Sequence, residues 1–139
     1  MKLQLFFWML LLVTGCNQNK QNKTLSLLAK LNSIYKERDL FKGRIPNIIF
    51  DTLTNNMVIG NDSIPLSKCK VYYERKYNKE YKKYFHLVTF YCANNDTCII
   101  NIKSKESSYG VGFPFKSKAV SLEFIDLVKK LSISGQHNN

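Results

Sequence analysis

Two stretches decide how this chain folds: Cys69-Lys70-Val71-Tyr72-Tyr73-Glu74-Arg75-Lys76-Tyr77 and Tyr84-Phe85-His86-Leu87-Val88-Thr89-Phe90-Tyr91-Cys92. Both are rich in β-branched and aromatic residues, and a lysine-rich run separates them. Each reads as a strand, and the pair as a hairpin. With the turn at Tyr77 to Glu80, Val71 faces His86, Tyr73 faces Tyr84, and Cys69 stands opposite Val88. Cys92 is then four residues further along the neighbouring strand. At ~3.3 Å per residue that is roughly 13 Å, beyond the reach of a disulfide. On this register Cys69 is a free core thiol.

Working towards the C-terminus, Asn94-Asn95-Asp96 reads as a second turn and Thr97 to Lys103 as a strand folded back on Tyr84 to Cys92. Aligning Cys92 with Cys98 sets Phe90 against Ile100 and Val88 against Ile102. Period-two alternation then gathers Val88, Phe90, Cys92, Cys98, Ile100 and Ile102 on one apolar face. The candidate disulfide is therefore Cys92 to Cys98. Two reduced, buried thiols are the alternative. No metal is expected, since a structural zinc site needs four ligands and only Cys69 and His86 could add to the pair.

Further strands are expected at Asn47 to Leu53, Met57 to Ile59 and Tyr109 to Phe115, with turns at Asn55-Asn56 and Gly60 to Ser63. Ile64-Pro65-Leu66 reads as an edge segment because proline cannot donate to a ladder. Helices flank this middle. Leu27/Leu28, Leu31, Ile34/Tyr35 and Leu40/Phe41 recur near period 3.6, with Thr24 as the cap, Gly43 as the stop and Pro46 beyond. Ser117 caps a second helix whose apolar face is Val120, Phe124, Leu127/Val128 and Leu131. The fold class is α+β: an N-terminal helix, an antiparallel sheet or partial barrel of about six to seven short strands, and a C-terminal amphipathic helix. Residues 24–132 form one domain and 133–139 a disordered tail.

The stretch from Ile48 to Leu131 resembles the pleckstrin-homology-like arrangement, a curved sheet closed by a C-terminal helix. Ile64-Pro65-Leu66 entering a strand and Gly112-Phe113-Pro114-Phe115 leading into the helix carry the likeness. That arrangement hosts many unrelated binding roles and does not settle function.

Ahead of the domain, Lys2 precedes the apolar run Leu3 to Val13, which is well short of the ~20 residues needed to span a bilayer. Leu12-Val13-Thr14-Gly15-Cys16 resembles the lipobox of bacterial lipoproteins. The resemblance implies removal of residues 1–15 and acylation of Cys16 with diacylglycerol, palmitate being a typical chain. Buried acyl chains at ~0.8 kcal/mol per CH₂ make such an anchor stable. An ordinary secretory signal, the rival reading, has no need of a cysteine directly after Gly15. Residues 16–23 then form the lipidated cysteine and a polar tether. Asn17, where inner-membrane-retained lipoproteins of many Gram-negative bacteria carry Asp, points to the periplasmic side of the outer membrane.

The formal charge is +11, from 21 Lys and Arg against 10 Asp and Glu. Only three of the basic residues, Arg38, Arg44 and Arg75, are arginine, whereas phosphate and base recognition favours the arginine fork. Export also removes the chain from most nucleic acid, so no nucleic-acid partner is expected. The densest basic region holds Lys68, Lys70, Arg75, Lys76, Lys79, Lys82 and Lys83, interleaved with Tyr72, Tyr73, Tyr77, Tyr81 and Tyr84. It reads either as a contact face for an envelope protein or another anionic surface, or as a solvated hairpin tip whose lysines prevent edge pairing. The candidate contact residues are Lys70, Tyr72, Arg75, Lys76, Lys79, Lys82 and Lys83.

No catalytic residue is expected. His137 lies in the tail, His86 is a packed or edge histidine, and no two carboxylates share a spacing suited to acid–base work. Gly110-x-Gly112 is followed by Phe-Pro-Phe rather than a helix start, so it is no dinucleotide fingerprint, and no cofactor is implied. The sequence thus points to a lipid-anchored, non-enzymatic binding or accessory module. The alternative is an immunity or inhibitor lipoprotein that neutralises a toxin or envelope hydrolase.

Overall fold

The computed structural model describes residues 2–36 and 47–136, with side chains from residue 18 onward except at 95 and 136. The elements are α1 (Lys2–Lys36), β1 (Ile48–Asp51), β2 (Asn56–Ile59), β3 (Asp62–Pro65), β4 (Cys69–Asn78), β5 (Lys83–Cys92), β6 (Ile99–Asn101), β7 (Ser107–Ser108), β8 (Gly110–Phe115) and α2 (Lys118–Gln136). Leu40, Phe41, Gly43, Pro46 and His137 lie outside the described residues, as do the side chains of the leader and of Cys16.

The architecture is α+β, with eight strands among the described residues arranged in two antiparallel sheets. The first sheet runs β1-β2-β3-β6-β7 and the second β4-β5-β8. The chain builds three strands of the first sheet, crosses to the second for β4 and β5, returns for β6 and β7, and crosses again for β8.

Alternation sets the buried face of each sheet. Ile48 pairs with Ile59 and Met57 with Ile64, and all four are buried, while Ile49 on the opposite face is 62% exposed. In the second sheet Val88, Phe90, Cys92, Phe113 and Phe115 are buried. Leu31, Ile34 and Tyr35 of α1 and Phe124, Leu127, Val128 and Leu131 of α2 complete the core. The Ser117 hydroxyl accepts a hydrogen bond from Val120 N–H at 3.3 Å, which starts α2 as its N-cap position predicts.

Several local expectations need correction. β5 does not pair with the strand after it. Its neighbours are β4 and β8, while β6 joins β3 and β7. The shared apolar face expected for the two therefore does not exist: Ile99 is buried, whereas Ile100 and Ile102 are exposed. The 3-10 turn Ala93–Asn95, with Asn94 at φ 62, carries the chain off one sheet and onto the other.

Pro65 is not on an edge strand. β3 lies between β2 and β6, but β6 pairs only with Asp62 and Ser63, so Pro65 has a ladder partner on one side alone. Thr24 does not begin a helix, because α1 already runs through residues 16–23, the expected tether. Gln and Lys are good helix formers and no breaker interrupts them. The Thr24 hydroxyl instead donates to the Lys20 carbonyl at 3.2 Å. At the other end residues 133–136, expected to be disordered, continue α2, with Gly135 packed near the Asn55 side chain.

Candidate functional site

The β4–β5 hairpin is the longest feature of the second sheet, and β8 covers only part of it. β8 pairs with His86 to Tyr91, leaving Lys76 to Asn78 and Lys83 to Phe85 as a two-stranded arm. Two-stranded ribbons are marginal alone, and here aromatic contacts stiffen the arm. Tyr77 and Tyr84 meet edge to face at 5.1 Å, Tyr81 meets Phe85 at 6.0 Å, and the Arg75 guanidinium lies 4.1 Å over the Tyr84 ring. Lys82 closes the turn at φ 48, and Tyr81 N–H donates to the Asn78 side chain at 3.1 Å.

The seven residues singled out as a contact face do not share one face. Alternation places Lys70, Tyr72, Lys76 and Lys83 on the outer surface of the sheet and Arg75 on the reverse, with Lys79 and Lys82 in the turn. The outer surface holds a shallow cleft of about 340 Å³ lined by Tyr81, Phe85, Leu87 and Pro114, with Lys76 and Asn78 at its edge, while the Tyr77 ring lies with Tyr84 and Arg75 on the reverse. Lys83 Nζ lies 5.2 Å over the Phe85 ring beside it.

Further along this surface Glu74 is occupied from within. The Tyr91 hydroxyl donates to it at 2.7 Å and Lys76 Nζ lies 2.8 Å away. Lys76 first, and then the Tyr91 hydroxyl, hold the Glu74 carboxyl below the usual carboxylate range. Part of the charge on Lys76 is therefore used internally. Lys79, Lys82 and Lys83 have only Glu80 as an acidic neighbour in the turn.

His86 is half-buried and packs on Tyr73, whose hydroxyl oxygen lies 2.8 Å from Nδ1. A ring held by stacking and by that bond matches the packed histidine expected from sequence.

The cysteines form the second cluster. Cys92 and Cys98 are bridged, with Cα atoms 5.7 Å apart. Cys69 is not opposite Val88 but directly opposite Cys92, because the turn lies four residues long between Asn78 and Lys83 instead of at Tyr77 to Glu80. Asn78, whose side chain caps the turn, is the signal that could have placed it correctly. Cys69 remains the free thiol among the described residues. Its Sγ lies 3.4 Å from Cys98 Sγ, and all three sulfurs lie within 4.8 Å of one another. Burial pushes the Cys69 thiol up to about 11. With two sulfurs in a disulfide, the cluster offers a metal ion one thiol.

No described helix is long and apolar enough to cross a membrane. No protein-family model, curated protein or solved structure matches the chain.

Proposed function

We propose that this chain is a lipid-anchored envelope protein, held at the periplasmic face of the membrane through Cys16, that acts as a non-enzymatic binding module. Its contact surface is the arm of the β4–β5 hairpin and its partner an acidic loop of another envelope protein. The observation that carries this reading is the cleft of Tyr81, Phe85, Leu87 and Pro114 on an arm that also carries Lys79, Lys82 and Lys83. Rings already packed against one another lose little freedom on binding. An apolar side chain flanked by carboxylates is the complement of such a surface, with the cations steering its approach. The lipobox supplies the location, and a domain beginning within a few residues of an acylated cysteine stays close to the bilayer.

One affinity capture from native envelopes tests both halves. Lys79, Lys82 and Lys83 are changed to Glu, and Lys76 is left in place because it neutralises Glu74. Loss of the captured partner in the triple variant, with an acylated Cys16 peptide by mass spectrometry, is the expected result. An unchanged partner set removes the arm from the binding surface, and an unmodified Cys16 peptide removes the anchor. Retention by anionic vesicles with no protein partner would reassign the arm to lipid headgroups.

A further inference from the structure

The register of β4 against β5 places a thiol beside a disulfide. Cys69 Sγ is 3.4 Å from Cys98 Sγ, and because all three sulfurs lie within 4.8 Å of one another the approach is bent, so the Cys69 side chain must swing onto the line of the Cys98–Cys92 bond before it attacks. The surroundings differ sharply at the two ends of the existing bridge. Cys98 is half-exposed. Cys92 is 3% exposed, yet its sulfur is not isolated: Cys98 N–H donates to Cys92 Sγ at 2.9 Å, and the Ser108 carbonyl oxygen lies 3.6 Å from the same atom. A backbone N–H aimed at a sulfur stabilises negative charge there and makes that sulfur the better leaving group. A carbonyl at hydrogen-bonding range gives the protonated thiol an acceptor. The pocket of Cys92 thus suits a thiolate and a thiol as well as a bridged sulfur.

We propose that Cys69, Cys98 and Cys92 form a thiol–disulfide exchange site in which the bridge moves between Cys92–Cys98 and Cys69–Cys98. The Cys69 thiol loses its proton to solvent and its thiolate attacks Cys98 Sγ. The Cys98–Cys92 bond breaks, a Cys69–Cys98 bond forms, and Cys92 departs as a thiolate that takes a proton from solvent. One disulfide and one thiol stand on each side, so no oxidant or reductant is consumed.

The exchange changes what the surface offers. Cys69 lines a cleft of about 320 Å³ between β4 and α2, together with Leu66, Val71, Phe90, Val128 and Lys129. In one form this cleft presents a free thiol, and in the other that thiol is replaced by one sealed inside the fold at Cys92. The raised Cys69 thiol makes the step slow at neutral pH. Below about pH 11 the thiolate fraction, and with it the rate, rises about tenfold per pH unit.

The test uses the full chain with Cys16→Ser, so that three cysteines remain. The folded protein is held at several pH values, quenched in acid, denatured, and alkylated, and the labelled cysteine is identified by peptide mass spectrometry. Label at both Cys69 and Cys92, never at Cys98, with a rate independent of protein concentration and rising with pH, is the expected result. Label confined to Cys69 at every pH and time overturns the proposal, as does label spread over all three cysteines, which would mark scrambling through unfolding. A second variant, Cys92→Ser, should close a Cys69–Cys98 bridge when treated with oxidised glutathione. Two titratable thiols persisting in a folded Cys92→Ser protein would also overturn it.

Discussion

Asn32 stands in for a missing strand. β1 is the edge of its sheet, and Ile48 at its start is buried, so the backbone there needs partners. The Asn32 side chain supplies both: Ile48 N–H donates to Oδ1 at 2.6 Å, and Nδ2 donates to the Ile48 carbonyl at 3.0 Å. A second Nδ2 bond, to Leu28 O at 3.1 Å, fixes the amide against α1. Asn32→Ala strands two backbone groups at a buried position, where each costs about 1–3 kcal/mol when left unsatisfied. The urea midpoint should fall with an unchanged slope; an unchanged midpoint would show that water replaces the amide. Nothing local announces this role, since an asparagine on a leucine-rich helix reads as an exposed polar position. Cys69 teaches the same lesson. Its type was legible, but its neighbour depended on where one turn closes.

The elements themselves were read most easily where the pattern is long. β4 and β5 are ten residues each, rich in β-branched and aromatic residues, and α2 carries nineteen with a helical period. β7, two residues of serine, has no pattern to find. Partners between elements were less legible, because alternation tells which face is apolar but not which strand lies alongside. β5 was expected beside the next strand in sequence and instead pairs with β8, across an excursion through the other sheet. Gly110 in β8 shows how close that pairing is. A Cβ there would meet the Tyr91 ring at 2.6 Å and the Phe90 carbonyl oxygen at 3.0 Å. Gly110→Ala should displace the Tyr91 ring, break its bond to Glu74, and cost about 1–3 kcal/mol by overpacking. A lower thermal midpoint followed by circular dichroism is the expected reading, and an unaltered one would mean that the ring swings aside freely.

Across the whole molecule, a cluster of rings joins α1, the second sheet and α2. Tyr35 of α1 meets Phe113 and Phe115 of β8 at 6.2 and 6.3 Å and Phe124 of α2 at 6.1 Å, and Phe115 and Phe124 lie 4.9 Å apart. Phe124 is fully buried at the centre of this group. Phe124→Ala should cost about 3–5 kcal/mol. Hydrogen exchange should then show α1 losing protection together with β8 and α2; loss confined to α2 would separate the layers energetically. The apolar positions that build this cluster were all visible in the sequence. Their convergence was not, because it depends on the chain changing sheets three times.

That crossing pattern has a consequence for how the protein is made. A chain delivered from its N-terminus, by a ribosome or through a translocation channel, can complete neither sheet in one pass. When Cys92 emerges, the hairpin of β4 and β5 is in place, but the edge of β5 that β8 will occupy has nothing to bind. Residues 110–115 supply that last strand and α2 the last wall of the core. Until they arrive, the half-made molecule shows a bare strand edge and an open apolar face, the two features that invite aggregation. The segment that makes the earlier strands safe is therefore made after all of them.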